Sequence, residues 1–279
     1  IPIHKKLDKS RRFYRVSANN VSMDILDDSM KQYLNKGFLP LKVIYDLGLM
    51  NDVAEGYIIT YYHGLNSKIP VTIGLTPSFM RFLGLFVAEG HSDTRQLGLT
   101  FGKHEKLLID EVASFASYFG LGFTGEMRDR SFRIKLFNQV FVKFIGAVCG
   151  GGAFHKQIPE FVFRVYKDLR WHFIESYCQG DGHKVKGRNC LMFTTVSKDL
   201  ALQLQYLLLL NGVMSSYYTY QNKGLGKNRA DKFFVHHDPP IHDRIGILVF
   251  ERHDIFDCLC HSDRGSSAEF QSDHEAPPV

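Results

Sequence analysis

Long apolar runs are missing from this 279-residue chain, so no stretch reaches the length of a membrane span, and the start, Ile1-Pro2-Ile3-His4-Lys5-Lys6, lacks the apolar core of a secretory signal. An intracellular setting is the expectation. Five cysteines fall in no disulfide-framework spacing and read as reduced, mostly core thiols. Cys258-Leu259-Cys260-His261 has too tight a Cys-x-Cys spacing for a good structural zinc site. Gly150-Gly151-Gly152 is followed by no Gly-Lys-Ser/Thr, which excludes a phosphate loop and leaves a linker. No serine stands in a nucleophile elbow, and His236, His237, His242 and His253 lack metalloprotease spacing. Hydrophobic and charged contents of 44% and 23% are ordinary for a globular protein large enough for a duplicated core.

What is present is a repeat. Phe82-Leu83-Gly84-Leu85-Phe86-Val87-Ala88-Glu89-Gly90 and Ile174-Glu175-Ser176-Tyr177-Cys178-Gln179-Gly180-Asp181-Gly182 lie 92 residues apart. Each is apolar, has small residues four apart, and ends in carboxylate-glycine. On a helix such small residues share one face and admit close approach of another backbone. Gly90 and Gly182 are expected at the helix ends, in the left-handed conformation that glycine adopts without steric cost. The offset of 92 also matches Phe101 with Phe193, Leu108 with Leu200, Val112 with Leu204 and Gly120 with Gly212. Two related halves follow, with equivalent residues meeting across a pseudo-two-fold axis.

Glu89 and Asp181 would then stand at helix C-termini, where the macrodipole disfavours anions, and would face one another. A divalent cation shared by the carboxylates and helix-end carbonyls relieves both problems, and oxygen ligation suits Mg²⁺ or Mn²⁺. That constellation suits metal-assisted hydrolysis of a phosphodiester.

These residues resemble a LAGLIDADG homing endonuclease carrying both motifs on one chain. The first segment keeps the pattern at Gly84, Leu85, Ala88, Glu89 and Gly90; the second keeps Asp181-Gly182 and a small residue at Ser176. Lys156-Gln157-Ile158-Pro159, 25 residues before Asp181, resembles the Lys-x-Ile-Pro block that precedes the second motif in intein and archaeal-intron endonucleases. The resemblance covers roughly residues 70 to 255. It implies an α+β fold of two αββαββα halves, motif helices at the interface, and a β-saddle over double-stranded DNA. It implies a monomer that cuts both strands of a long site. Glu89 and Asp181 would be catalytic metal-binding acids, joined by the Ala88 and Gly180 carbonyls, with Lys156 as the assisting catalytic cation. No second Lys-x-Ile-Pro block occurs in the second half, where Arg244 and Arg252 are the nearest basic residues. The same scaffold also serves in nucleic-acid-binding proteins that do not cut, such as RNA-splicing maturases and regulators, and as the endonuclease part of inteins.

The expected domains are an accessory region at 1–75, halves at 76–152 and 153–257, and a disordered acidic tail at 258–279. Net charge is +5 overall, but +6 over residues 183–234, +4 over 91–170 and −6 over 235–279. The basic excess lies where the sheets are expected, as contact with phosphates requires. Candidate DNA contacts are Arg128, Arg130, Arg133, Lys135, Lys184, Lys186, Arg188, Lys223, Lys227 and Arg229, together with a β-ribbon at Met214–Gln221. Ser22 is expected to cap a helix over Met23–Leu34 stopped by Gly37, and Thr76-Pro77 to open the first motif helix. Strands are expected at Glu55–His63, Ser92–Arg95, Leu97–Lys103, Phe123–Arg130, Ser131–Phe137, His183–Arg188, Cys190–Val196 and Lys232–His237. Helices are expected at Glu105–Phe119, Val140–Val148 and Lys198–Leu210.

Overall fold

The computed structural model describes residues 1–7, 14–62, 65–184, 190–220 and 244–250. In the first 75 residues, β1 (Arg15–Ser17), α1 (Asp28–Leu34), β2 (Phe38–Pro40), α2 (Leu41–Asp46), β3 (Tyr57–Tyr62) and β4 (Leu65–Pro70) form an antiparallel sheet in the order β2-β1-β3-β4. The expected helix from Met23 is shorter. Residues Met23–Ile25 make only a 3₁₀ turn, and Asp27, whose carboxylate accepts from the Met30 N–H at 2.9 Å, caps α1. Gly37, at φ +77°, ends it as expected.

The first half runs α3 (Pro77–Glu89), β5 (Gly90–Ser92), β6 (Gln96–Gly102), α4 (Lys106–Tyr118), β7 (Gly122–Met127), β8 (Ser131–Phe137) and α5 (Gln139–Cys149), an αββαββα unit. Its sheet has the order β5-β6-β8-β7. The strand foreseen at Ser92–Arg95 lies instead at Gly90–Ser92, because the Asp93 carboxylate accepts from the N–H groups of Arg95 (2.7 Å) and Gln96 (2.8 Å) and turns the chain there. The second half follows with α6 (Lys167–Asp181), β9 (His183–Lys184), β10 (Cys190–Thr195), α7 (Lys198–Leu210), β11 (Ser215–Tyr220) and β12 (Arg244–Phe250), in the sheet order β11-β12-β10-β9. The strand foreseen at Lys232–His237 and the tail at 258–279 lie outside the described residues, as do Arg252 and the Cys258–His261 cluster. No helix among the described residues is long and apolar enough to cross a membrane.

The repeat is carried into structure. Phe101 and Phe193 are both buried, as are Val112 and Leu204, while Gly120 (φ +64°) and Gly212 (φ +77°) terminate equivalent helices. Thr76 caps α3 by accepting from the Phe79 N–H at 3.3 Å, with Pro77 at its first position. In the first half, the Phe82 and Phe115 rings stack with centroids 4.1 Å apart, and Phe79, Phe119 and Phe141 gather around them. Helix α5 touches both the first-half sheet and the N-terminal sheet, and the Lys143 ammonium lies 5.8 Å from the Tyr14 ring centroid. The N-terminal region is therefore packed against the first half through a shared layer.

The acid pair and the open face of the first sheet

Among the described residues, helices α3 and α6 make the most extensive packing between any two elements. Small residues allow it. A Cβ added at Gly84 would sit 2.0 Å from the Ser176 hydroxyl and 2.4 Å from the Phe173 carbonyl oxygen; one at Gly180 would sit 2.6 Å from the Ala88 Cβ. On the flank, the Arg81 guanidinium pairs with Glu111 (2.5 and 2.7 Å), donates to the Gln179 side-chain oxygen at 2.9 Å, and approaches Glu175 at 3.6 Å. One cation thereby ties α3, α4 and α6 together.

The two helices end side by side at Glu89 and Asp181, but not as the glycine rule suggests. Gly90 (φ −83°, ψ 154°) and Gly182 (φ −82°, ψ 136°) are extended, not left-handed. Each passes directly into a strand while its N–H still bonds the carbonyl four residues back. A Cβ at Gly90 would lie 2.4 Å from the Phe86 carbonyl oxygen, and one at Gly182 would lie 2.5 Å from that of Cys178. Glycine is needed for close approach rather than for its positive φ.

Burial pushes the Glu89 carboxyl up to about 7, and the Asp181 and Glu105 charges add to the shift, while Lys156 opposes it. Asp181 is also raised by burial, against the pull of Lys156, Tyr177 and His183. The Tyr177 hydroxyl lies beside Asp181, short of full hydrogen-bond geometry, in a wholly buried setting that raises its own proton affinity well above the usual phenol. Lys156 is lowered by burial and held up by Asp181, Glu89 and Cys149. Its ammonium donates to the Ala88 carbonyl at 2.5 Å.

The route of Lys156 into this site corrects the expectation of a glycine linker. Gly150 (φ +78°) and Gly152 (φ +74°) make a tight reversal, in which a Cβ at Gly150 would lie 1.7 Å from the His155 carbonyl oxygen. The Gln157 N–H then bonds the Cys149 carbonyl at 2.9 Å, and the Lys156 carbonyl accepts from the Ser197 hydroxyl at 2.9 Å. The backbone that carries Lys156 is thus anchored from both halves.

Two carboxylates and the carbonyls of two helix ends form an all-oxygen donor set. A protein cation already stands on one of those carbonyls, so the residues fit a hard divalent ion. Among the described residues no cluster of three or more His, Cys, Asp or Glu side chains suited to a metal exists, so carbonyl and solvent oxygens would have to complete any shell.

The first-half sheet turns Leu97, Leu99, Phe101, Ile134 and Leu136 into the core. Strand alternation therefore sends Gln96, Thr100, Thr124, Glu126, Arg133 and Lys135 to the opposite, open face. Arg128 (3.5 Å) and Lys135 (3.4 Å) share Glu126, and Arg130 is exposed in the β7–β8 turn. Of the remaining candidate contacts, Lys184 lies in β9, whereas Lys186, Arg188, Lys223, Lys227 and Arg229 lie outside the described residues. Strand β11, Ser215–Tyr220, lies within the strand expected at Met214–Gln221. Sequence reasoning passed over Tyr177, Glu105 and His91. The last had a signal: His91 and His183 are themselves 92 residues apart, each directly after its acid-glycine pair.

Residues 168–238 match the LAGLIDADG-like domain family. An uncharacterized protein of Methanocaldococcus jannaschii is 28% identical over 199 residues, which is 65% of this chain and 21% of that protein. The DNA-directed RNA polymerase subunit Rpo1C of the same organism is 25% identical over 61% of this chain and 21% of its own length. The ATP-dependent DNA helicase Hel308 of Thermococcus kodakarensis is 26% identical over 65% and 18%. The chain thus spans about a fifth of the length of these curated relatives. Among solved structures, the homing endonuclease I-DmoI in complex with DNA and Mn superposes with a TM-score of 0.44 at 12% identity, covering 70% of this chain and 100% of that one.

Proposed function

Since this chain carries a LAGLIDADG-like domain and unites two motif helices in one interface, we propose that it is a site-specific, divalent-metal-dependent DNA endonuclease acting as a monomer on a long double-stranded site. The observation that carries this reading is the pair of largely buried carboxylates at adjoining helix ends, with a lysine ammonium on the Ala88 carbonyl beside them and its charge acting on both. Such an arrangement is costly unless a cation is to be held there. Glu89 and Asp181, with the Ala88 and Gly180 carbonyls, would hold Mg²⁺ or Mn²⁺, which supplies a Lewis acid and a water of lowered pKa. Lys156 would offset negative charge developing on the phosphate, and the basic residues of the open sheet faces would bind the DNA backbone.

A module reading accompanies it. Relatives named as a polymerase subunit and as a helicase each match over about a fifth of their length. One host activity cannot account for both, whereas an endonuclease inserted in unlike hosts, as in an intein, can.

The test is duplex cleavage with Mg²⁺, with a chelator, and with Glu89→Gln/Asp181→Asn protein. Metal-dependent double-strand cutting, lost in the double variant while DNA binding persists, is expected. Tight binding without cutting, indifferent to the substitutions, would assign the chain instead to the non-cutting nucleic-acid binders of this scaffold.

A further inference from the structure

His91 is the middle residue of β5 and pairs with Gly98 of β6, which pairs in turn with Lys135 of β8. Gly98 has no side chain to raise on the open face. The imidazole uses that gap: a Cβ at Gly98 would lie 2.3 Å from His91 Cε1 and 2.5 Å from Nε2. The ring is therefore laid flat across the middle strand, reaching toward β8. Arg133 rises from β8 on the same face, close enough for its charge, like those of Asp93 and Lys156, to act on the imidazole.

Arg133 is itself uncommitted. Its cross-strand neighbour Glu126 is turned to Arg128 and Lys135. Its Nε is buried without a hydrogen-bond partner, and it forms no ion pair among the described residues. The His91 imidazole, two residues beyond Glu89 and within reach of the Lys156 charge, thus shares the open face with this guanidinium. Donors grouped beside a candidate metal site match a tetrahedral anion with one face toward the metal.

Among the described residues the second half has no such bed: His183 is exposed and pairs with Met192, not with a glycine.

We propose that His91, bedded on Gly98 and flanked by Arg133, seats the scissile phosphate of the strand cut on the Glu89 side. This rests on the endonuclease reading. The residue donates a ring N–H to a non-bridging phosphate oxygen and fixes the phosphorus for in-line attack; Gly98 is a positioning residue that acts through the ring.

The experiment follows each strand of a duplex target separately, with one 5′ label per strand, for wild type, His91→Ala, His91→Asn and Gly98→Val. DNA affinity in chelator and melting temperature are measured on the same proteins. His91→Ala is expected to slow one strand's cut by about 10²-fold, the usual cost of deleting one aimed donor, with the other strand's cut and the affinity nearly unchanged. His91→Asn, which keeps an N–H donor, recovers part of the loss. Gly98→Val, which lifts the ring without removing it, slows the same strand. Wild-type cutting matched on both strands by His91→Ala overturns the inference alone. Equal slowing of both strands with a lowered melting temperature also overturns it, by assigning His91 a structural role. A wild type that binds but never cuts overturns the endonuclease reading and this inference with it.

Discussion

Glu89 holds its proton more tightly in the folded protein than in the unfolded chain, since burial beside Asp181 raises it from 4.5 to about 7. For a carboxyl shifted upward, the stabilising contribution is complete below the unfolded value and disappears as pH climbs through the folded one. Asp181 shifts in the same direction. Asp27, Asp93 and Glu126 are held low by hydrogen bonds or cations and act in the opposite sense, so the site is isolated by difference. The melting temperature of metal-free wild type, minus that of Glu89→Gln, should fall as pH rises from about 4.5 to about 7 and level off above. Mn²⁺ added at pH 7.5 should recover the loss in wild type by binding the folded, ionised pair, and should do little for Glu89→Gln. A difference that is flat across this range would mean that Glu89 is not buried against a second acid.

At the scale of elements, the α3–α6 contact depends on positions with nothing beyond Cα. Gly84→Ala places a methyl group 2.0 Å from the Ser176 hydroxyl, so the helices must part or shift. Overpacking of this kind costs about 1–3 kcal/mol, which thermal unfolding would register as a drop of several degrees. Both strand cuts should slow together, because both acids ride on these helices; a full-rate Gly84→Ala enzyme with unchanged melting would deny the helices their role. Much of this level was legible. Thr76-Pro77, Gly37, the helix over Lys198–Leu210 and the 92-residue offset are local chemistry or direct repetition, and the structure bears each of them out. Gly90 and Gly182 were legible as glycines but not in conformation, because a left-handed cap and a close carbonyl approach require the same residue. Gly150–Gly152 misled for a similar reason: flexibility and tight reversal have one composition, and only the return of Lys156 to Ala88 distinguishes them. Of the N-terminal sheet, β3 was legible as the strand expected at Glu55–His63, whereas β1 and β2 were not, because they are three residues each and are defined by partners up to 44 positions away.

At the scale of the molecule, the two halves agree in topology and differ in equipment. The first half has Lys156 on the Ala88 carbonyl, an imidazole on a glycine bed and, on its open face, a guanidinium with no ion pair among the described residues. The second half offers Tyr177 beside Asp181, an exposed His183, and no second Lys-x-Ile-Pro segment. Near-symmetric acids with unequal surroundings should lower unequal barriers, since each donor aimed at the developing charge is worth about 10²-fold or more in rate. Cutting is therefore expected in two resolved steps on a supercoiled plasmid carrying the target. Open-circle DNA should accumulate first and convert slowly to linear, and the first nick should lie on a single strand. Arg81 bears on this order, because its links to Glu111, Gln179 and Glu175 hold α3 and α6 in one relation throughout. A rigid frame keeps the two centres from exchanging roles between turnovers, so the bias should persist at every metal concentration that supports cutting. Linear product formed without a nicked intermediate, or nicks shared evenly between strands, would show that the pseudo-two-fold symmetry of the acids outweighs the asymmetry of the groups around them.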